Sequence, residues 1–104
     1  MRRRGGWVCG PMSYELRFTE RALSQLEALD RALRVLVLRH GVDLAINPTA
    51  LSRKSVPPAE LPGYQVYEFL EDVDGTTHRF VLLFRYGADE QTLFVHAVGH
   101  VEYG

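Results

Sequence analysis

The stretch Thr77–Tyr86, with the sequence THRFVLLFRY, decides the fold of this chain. Aromatic and branched side chains dominate it, which is typical of a β-strand. Side chains of a strand alternate between the two faces of a sheet. One face then holds Phe80, Leu82 and Phe84, and the other holds Arg79, Val81, Leu83 and Arg85. We predict a central strand with one face in the core. The second face suits a phosphate or a carboxylate, and two solvated arginines are the alternative.

Two turn signals flank this strand and connect it to two more. Asp74-Gly75 is a common hairpin turn, and residues 87–90 read GADE. Before the first turn, Tyr64–Glu71 is rich in aromatic and branched residues. After the second, Thr92–Gly99 has the same character. The three runs predict an antiparallel meander over residues 64–70, 77–86 and 92–99.

The N-terminal half has a strand followed by a helical pattern. Residues 14–18 alternate apolar and charged side chains, which predicts a half-buried strand, and Thr19 offers an N-cap hydroxyl. Apolar residues then recur at helical spacing, at Ala22, Leu26, Leu29, Leu33 and Leu36. We predict a helix, or a helical hairpin bent near Asp30, over residues 20–46. Gly41 is either its C-cap or a costly interior residue, and Asn47-Pro48 ends it.

The remaining segment, Pro48–Gly63, holds four of the five prolines and is predicted to be a loop containing Arg53 and Lys54. The first strand must join the meander to bury its apolar face. The expected fold is therefore α+β, with two layers. A mostly antiparallel four-stranded sheet carries the helix or helical hairpin on one face, in the order β-α-α-β-β-β.

Length and composition limit the possibilities further. The 104 residues, 46% apolar and 24% charged, fit one globular domain, which we place at 12–104. Residues 1–11 are expected to be a disordered leader or a start placed too early, with Met12 as the actual start. Without the three arginines of that leader, nine basic residues face 13 acidic ones, a net charge of −4. This balance argues against a generic nucleic-acid binder.

Cysteine content and hydropathy exclude two further classes. The single cysteine, Cys9, rules out an internal disulfide and a multi-cysteine metal site, which fits a cytoplasmic location. No apolar run is long enough to span a membrane. The histidines 40, 78, 96 and 100 have no carboxylate or thiol that would complete a tetrahedral metal site, so no metal or cofactor is expected.

Several segments, taken in order, resemble the RelE/ParE superfamily of toxins from bacterial type II toxin–antitoxin pairs. The resembling segments are residues 14–22 with Leu26 and Leu29, Asn47-Pro48 with Leu51 and Leu61, residues 63–69, residues 78–82, and Val98-Gly99-His100 with Tyr103. The match covers nearly everything from Met12 onward. The resemblance implies the same β-α-α-β-β-β fold.

The resemblance also implies an activity. In the ribosome-dependent branch of the family, mRNA is cut in the ribosomal A site without metal. Basic strand residues and a C-terminal tyrosine or histidine activate the 2′-hydroxyl and stabilise the phosphorane. The matching candidates for catalysis are Arg79, His100 and Tyr103. Where the family has basic residues, this chain has Gln65, Tyr67 and Val101.

The resemblance further implies a cognate antitoxin as partner, with the toxin as a monomer or dimer in that complex, and the ribosome and mRNA as further partners. The candidates for contacts to substrate or antitoxin are Arg85, Lys54, Arg53 and Tyr67; tyrosine is also a common strand filler. The alternative function is a non-catalytic binding module. Such a module would inhibit a target such as gyrase, or would only bind an antitoxin.

Overall fold

A computed structural model describes residues 13–54 and 63–103, with the backbone alone at 53 and 54. The predictions for residues 1–11 and for most of the proline-rich loop lie outside this part. The elements are β1 (Glu15–Phe18), α1 (Glu20–Glu27), α2 (Arg31–Ile46), α3 (Pro48–Leu51), β2 (Arg53–Lys54), β3 (Tyr64–Val73), β4 (Thr76–Tyr86) and β5 (Thr92–Tyr103).

The strands form one sheet in the order β1-β5-β4-β3-β2. Neighbouring strands are antiparallel except for β1 and β5, which are parallel. Helices α1 and α2 supply buried residues to one side of this sheet, which we call the helix face; the other side is the open face. The two-layer α+β architecture is confirmed, and the central strand is β4.

Two details of the predicted loop were wrong. Pro48 begins a short helix, where its fixed φ and missing N–H are tolerated. Arg53 and Lys54 pair with Val66 and Gln65 as a fifth strand at the sheet edge. Two residues carry no periodic side-chain signal, so this strand is visible only as backbone pairing.

The helical hairpin is confirmed, and its two helices meet at residues 28–30. The Oγ1 of Thr19 accepts a hydrogen bond from the backbone N–H of Ala22 at 3.3 Å, as expected of an N-cap. Asp30 occupies the N-cap of α2 without a side-chain hydrogen bond. Gly41 lies inside α2 rather than at its end. A Cβ there would lie 2.8 Å from Cδ2 of Leu16, so this glycine lets α2 approach β1 closely.

The core lies between β4 and the hairpin. Phe80, Leu82 and Phe84 are all fully buried, which confirms the predicted helix face of the central strand. The outer side of α2 carries the exposed apolar residues Val35, Leu38, Val42 and Ile46. Even so, none of the helices in the described part is both long and apolar enough to cross a membrane.

Replacing Thr19 with alanine should lower the free energy of unfolding by about 1 kcal/mol, because an N–H at the start of α1 loses its acceptor. For a domain of this size that corresponds to a drop of roughly 4–8 °C in melting temperature. Thr19→Ser keeps the hydroxyl and is the control. Equal melting temperatures for the alanine and serine variants would contradict a capping role.

Candidate functional site

The open face carries an ion pair at one end of β4. The guanidinium of Arg79 donates to the carboxylate of Glu68 on β3, and their side chains are 36% and 30% exposed. Tyr103, near the end of β5, lies on the other side of Arg79 and is half exposed. These three residues line a depression of about 590 Å³ together with Phe69 and Leu70. A cation, a carboxylate and a phenol thus face the same space.

Strand register explains why these residues meet. Arg79 pairs with Leu70 on β3 and with Val101 on β5, so it shares the open face with both. The diagonal neighbours of Arg79 on that face are Glu68 and Tyr103, within reach of a long side chain. Glu68 was not among the residues predicted from the sequence. The two-residue turn at Asp74-Gly75 was the available signal, because counting back from it places Leu70 opposite Arg79.

The same register places Gln65 and Tyr67 on the helix face. Tyr67 is only 7% exposed, and its hydroxyl lies 2.8 Å from Nδ1 of His40. Burial raises the pKa of Tyr67, and the nearby charges of Asp43 and Glu71 raise it further. The side chain of Tyr67, which the sequence predicted as a contact to substrate or antitoxin, thus belongs to the core beneath α2.

His100 also lies on the helix face, opposite Phe80. Its Nε2 is 2.9 Å from Nδ1 of His78, and the ring planes differ by only 15°, so the two imidazoles share one hydrogen bond edge to edge. The sheet thus separates His100 from Arg79 and Tyr103. Of the three predicted catalytic residues, the structure brings together only Arg79 and Tyr103.

A second polar cluster lies at the other end of β4, on the open face. The Nε of Arg85 donates to Nε2 of His96 at 3.1 Å. The rings of His96 and Tyr64 form an edge-to-face pair with centroids 5.1 Å apart. Val98 is on the helix face, so regular alternation of side chains along β5 would place His96 on that face as well. The register between β4 and β5 shifts at Leu83/Phe84, and this irregularity turns His96 toward Arg85.

The pKa of His96 is lowered from 6.5, first by burial and second by the positive charge of Arg85. Arg85→Ala removes only the second cause, so the pKa should rise part of the way toward 6.5. An NMR titration of the imidazole protons would measure it, with Arg39→Ala on the outer side of α2 as the control. A pKa unchanged by Arg85→Ala would contradict the contact.

The lowered pKa of His96 makes the free energy of unfolding depend on pH. The folded protein disfavours protonated His96. The contribution of this residue to the free energy of unfolding is therefore fully present above the unfolded-state pKa of about 6.5. That contribution is lost as the pH falls through the lower folded-state pKa.

The other predicted contact residues, Arg53 and Lys54, lie at the sheet edge in β2, beside β3. Among the residues that the structure describes, no group of three or more histidine, cysteine, aspartate or glutamate side chains is arranged to hold a metal ion.

Comparison with known proteins adds to this picture. No family model matches the chain, and no curated protein sequence matches it. Several solved structures do match. One chain of the RelBE2 toxin–antitoxin complex of Mycobacterium tuberculosis has a TM-score of 0.67 and 22% identity; the match covers 86% of this chain and 93% of that one.

Two structures from E. coli are similar to this chain at the same level. The isolated RelE toxin has a TM-score of 0.59 and 22% identity over 88% of both chains. A RelE mutant in complex with a peptide of the antitoxin RelB has a TM-score of 0.56 and 23% identity, over 85% of this chain and 83% of that one. The fold defined by these matches is thus a small two-layer α+β fold. In particular, the chain has the fold of RelE.

Proposed function

We propose that this protein is the toxin of a toxin–antitoxin pair and that it cleaves mRNA at the Glu68–Arg79–Tyr103 site. The observation that carries the proposal is the ion pair of Arg79 and Glu68 beside Tyr103, in a depression on the open face of a RelE-like fold. The three side chains provide a base, a cation and a phenol without a metal ion.

Each residue has a defined part in cleavage. The Glu68 carboxylate takes the proton of the ribose 2′-hydroxyl, and the 2′-oxygen attacks the adjacent phosphorus. The phosphorus–5′-oxygen bond breaks, and the phenol of Tyr103 gives its proton to the leaving oxygen. Arg79 stabilises the negative charge that develops on the phosphoryl oxygens. The products are a 2′,3′-cyclic phosphate and a 5′-hydroxyl end. Glu68 thus takes the role of base that the family resemblance implies for His100 or Tyr103.

We further propose a cognate antitoxin as partner and the translating ribosome in the cytoplasm as the place of action. The similar structures include complexes with antitoxin, which supports the first point. The row Arg79, Val81, Leu83 and Arg85 supplies a cation at each end and apolar side chains between them. An acidic antitoxin segment lying along this row would cover Arg79 and neutralise the toxin.

A non-catalytic binding module is the second candidate. It is favoured by one observation, namely that the carboxylate of Glu68 already compensates the charge of Arg79. A binding module would require no free catalytic cation on the open face.

Inducible expression of the full chain, followed by mapping of mRNA ends, tests the proposal. We expect growth arrest, new 5′-hydroxyl ends within translated messages, and rescue by a small neighbouring antitoxin gene. Growth arrest without new RNA ends would favour the binding module. No arrest and no new ends would contradict both functions.

A further inference from the structure

Arg85 differs from the other arginine in its row. Arg79 has a carboxylate partner, whereas the partner of Arg85 is the ring nitrogen of His96. Within the described ranges, no carboxylate lies at ion-pair distance from Arg85. Because Nε2 of His96 accepts the hydrogen bond, the imidazole is neutral in this arrangement and does not compensate the guanidinium charge. This end of the row therefore has an uncompensated positive charge.

Arg85 contacts His96, and His96 lines a groove that offers more than charge. The groove has a volume of about 490 Å³ and is lined by Thr19, Arg21, Tyr64, Leu83, His96 and Ala97. Arg21 adds a second cation from the first turn of α1. The edge-to-face contact between Tyr64 and His96 covers at most one of their four ring faces. The groove thus combines cations, an apolar floor and aromatic rings.

The groove lies near the end of β4 that is opposite the proposed catalytic site. Arg79 and Arg85 are six residues apart on one strand and share the open face. At about 3.3 Å per residue, the two ends of the row are roughly 20 Å apart. A ligand that lies along β4 and reaches both ends must be an extended chain.

We propose that Arg85, Arg21, Tyr64 and His96 form a second binding site for the RNA strand, away from the bond that is cut. Arg85 binds a backbone phosphate, and a neighbouring base stacks on the Tyr64–His96 ring pair. RNA as the ligand rests on the proposed function. Rings beside a cation favour RNA over an acidic peptide, because bases stack on aromatic side chains whereas a carboxylate uses the cation alone.

Fluorescence anisotropy with the full chain tests this site. The probe is a labelled single-stranded 2′-O-methyl oligoribonucleotide, which cannot be cleaved by 2′-oxygen attack. Arg85→Ala should weaken binding at least tenfold and reduce the salt dependence by about one phosphate contact. Tyr64→Leu should weaken binding about tenfold through loss of stacking. Arg39→Ala removes the same charge from the outer side of α2 and should change affinity less than twofold. Circular dichroism checks that each variant is folded.

Equal affinities for the Arg85→Ala and Arg39→Ala variants would overturn the inference. The inference would also be overturned if an oligoglutamate peptide bound more tightly than the RNA, with an affinity that falls in Arg85→Ala and is unchanged in Tyr64→Leu. The groove would then be a peptide-binding site. Different outcomes would contradict the proposed ribonuclease and the proposed second RNA site. RNA binding that depends on Arg85 and Tyr64, with no cleavage in the mapping experiment, would contradict only the proposed ribonuclease. Cleavage with RNA binding indifferent to Arg85 would contradict only this second site.

Discussion

Replacing Arg79 with alanine should slow RNA cleavage by about 10²–10³-fold, because the developing phosphorane loses its positioned cation. Glu68→Gln should cost about 10²–10⁴-fold, since an amide cannot accept the proton of the 2′-hydroxyl at neutral pH. Tyr103→Phe should slow the reaction to a similar extent by removing the proton donor. Growth arrest and the yield of new mRNA ends after induction would measure all three effects.

Two controls separate catalysis from folding. His100→Ala alters a residue across the sheet from Arg79 and should leave cleavage within about tenfold of wild type. Arg39→Ala should leave it unchanged. Arg79 and Glu68 are both about one third exposed, so their variants should keep the wild-type circular dichroism spectrum. Wild-type toxicity in the Arg79, Glu68 and Tyr103 variants would refute the site, and a selective loss in His100→Ala would move it to the helix face.

Phe80→Ala should lower the free energy of unfolding by about 3–5 kcal/mol, the usual cost of emptying a buried aromatic position. Phe80 is fully buried, with its ring centroid 5.0 Å from that of Phe69 and 4.9 Å from that of His100. Removing the ring leaves a cavity between sheet and hairpin and takes away the packing partner of His100. Urea denaturation followed by circular dichroism would measure the loss.

Val81→Ala is the matched control, because Val81 is the next residue on the same strand but faces the open side. It removes less volume from a half-buried position and should cost clearly less. Similar losses in the two variants would mean that the core does not lie on the side of β4 that the alternation indicates. A Phe80→Ala variant too unstable to purify would be replaced by Phe80→Leu, with the same expected order.

Short-range patterns were sufficient for most of the fold. The run from Thr77 to Tyr86 predicted which side of β4 is buried, because alternation is a property of the strand itself. The helical hairpin was predicted from signals that are also local in the sequence, namely the N-cap residue Thr19, the leucine spacing and Asp30. The shared face of Arg79 and Arg85 was also predictable from their spacing within one strand. The order of the elements along the chain followed from the same patterns, and the structure matches it apart from the added α3 and β2. The family resemblance supplied the catalytic candidates.

Pairing between strands determined which side chains meet at the candidate site. The partner of Arg79 depends on the register of β3, and that register brings Glu68 beside Arg79 and sends Tyr67 into the core. The shift between β4 and β5 brings His96 to Arg85, although alternation along β5 assigns it to the other face. His100 and Arg79 are close to each other on the adjacent strands β5 and β4, but their side chains lie on opposite sides of the sheet. A one-residue change of register exchanges the faces of every side chain in a strand. The turn at Asp74-Gly75 signals the register between β3 and β4, whereas the shift between β4 and β5 is visible only in the assembled sheet.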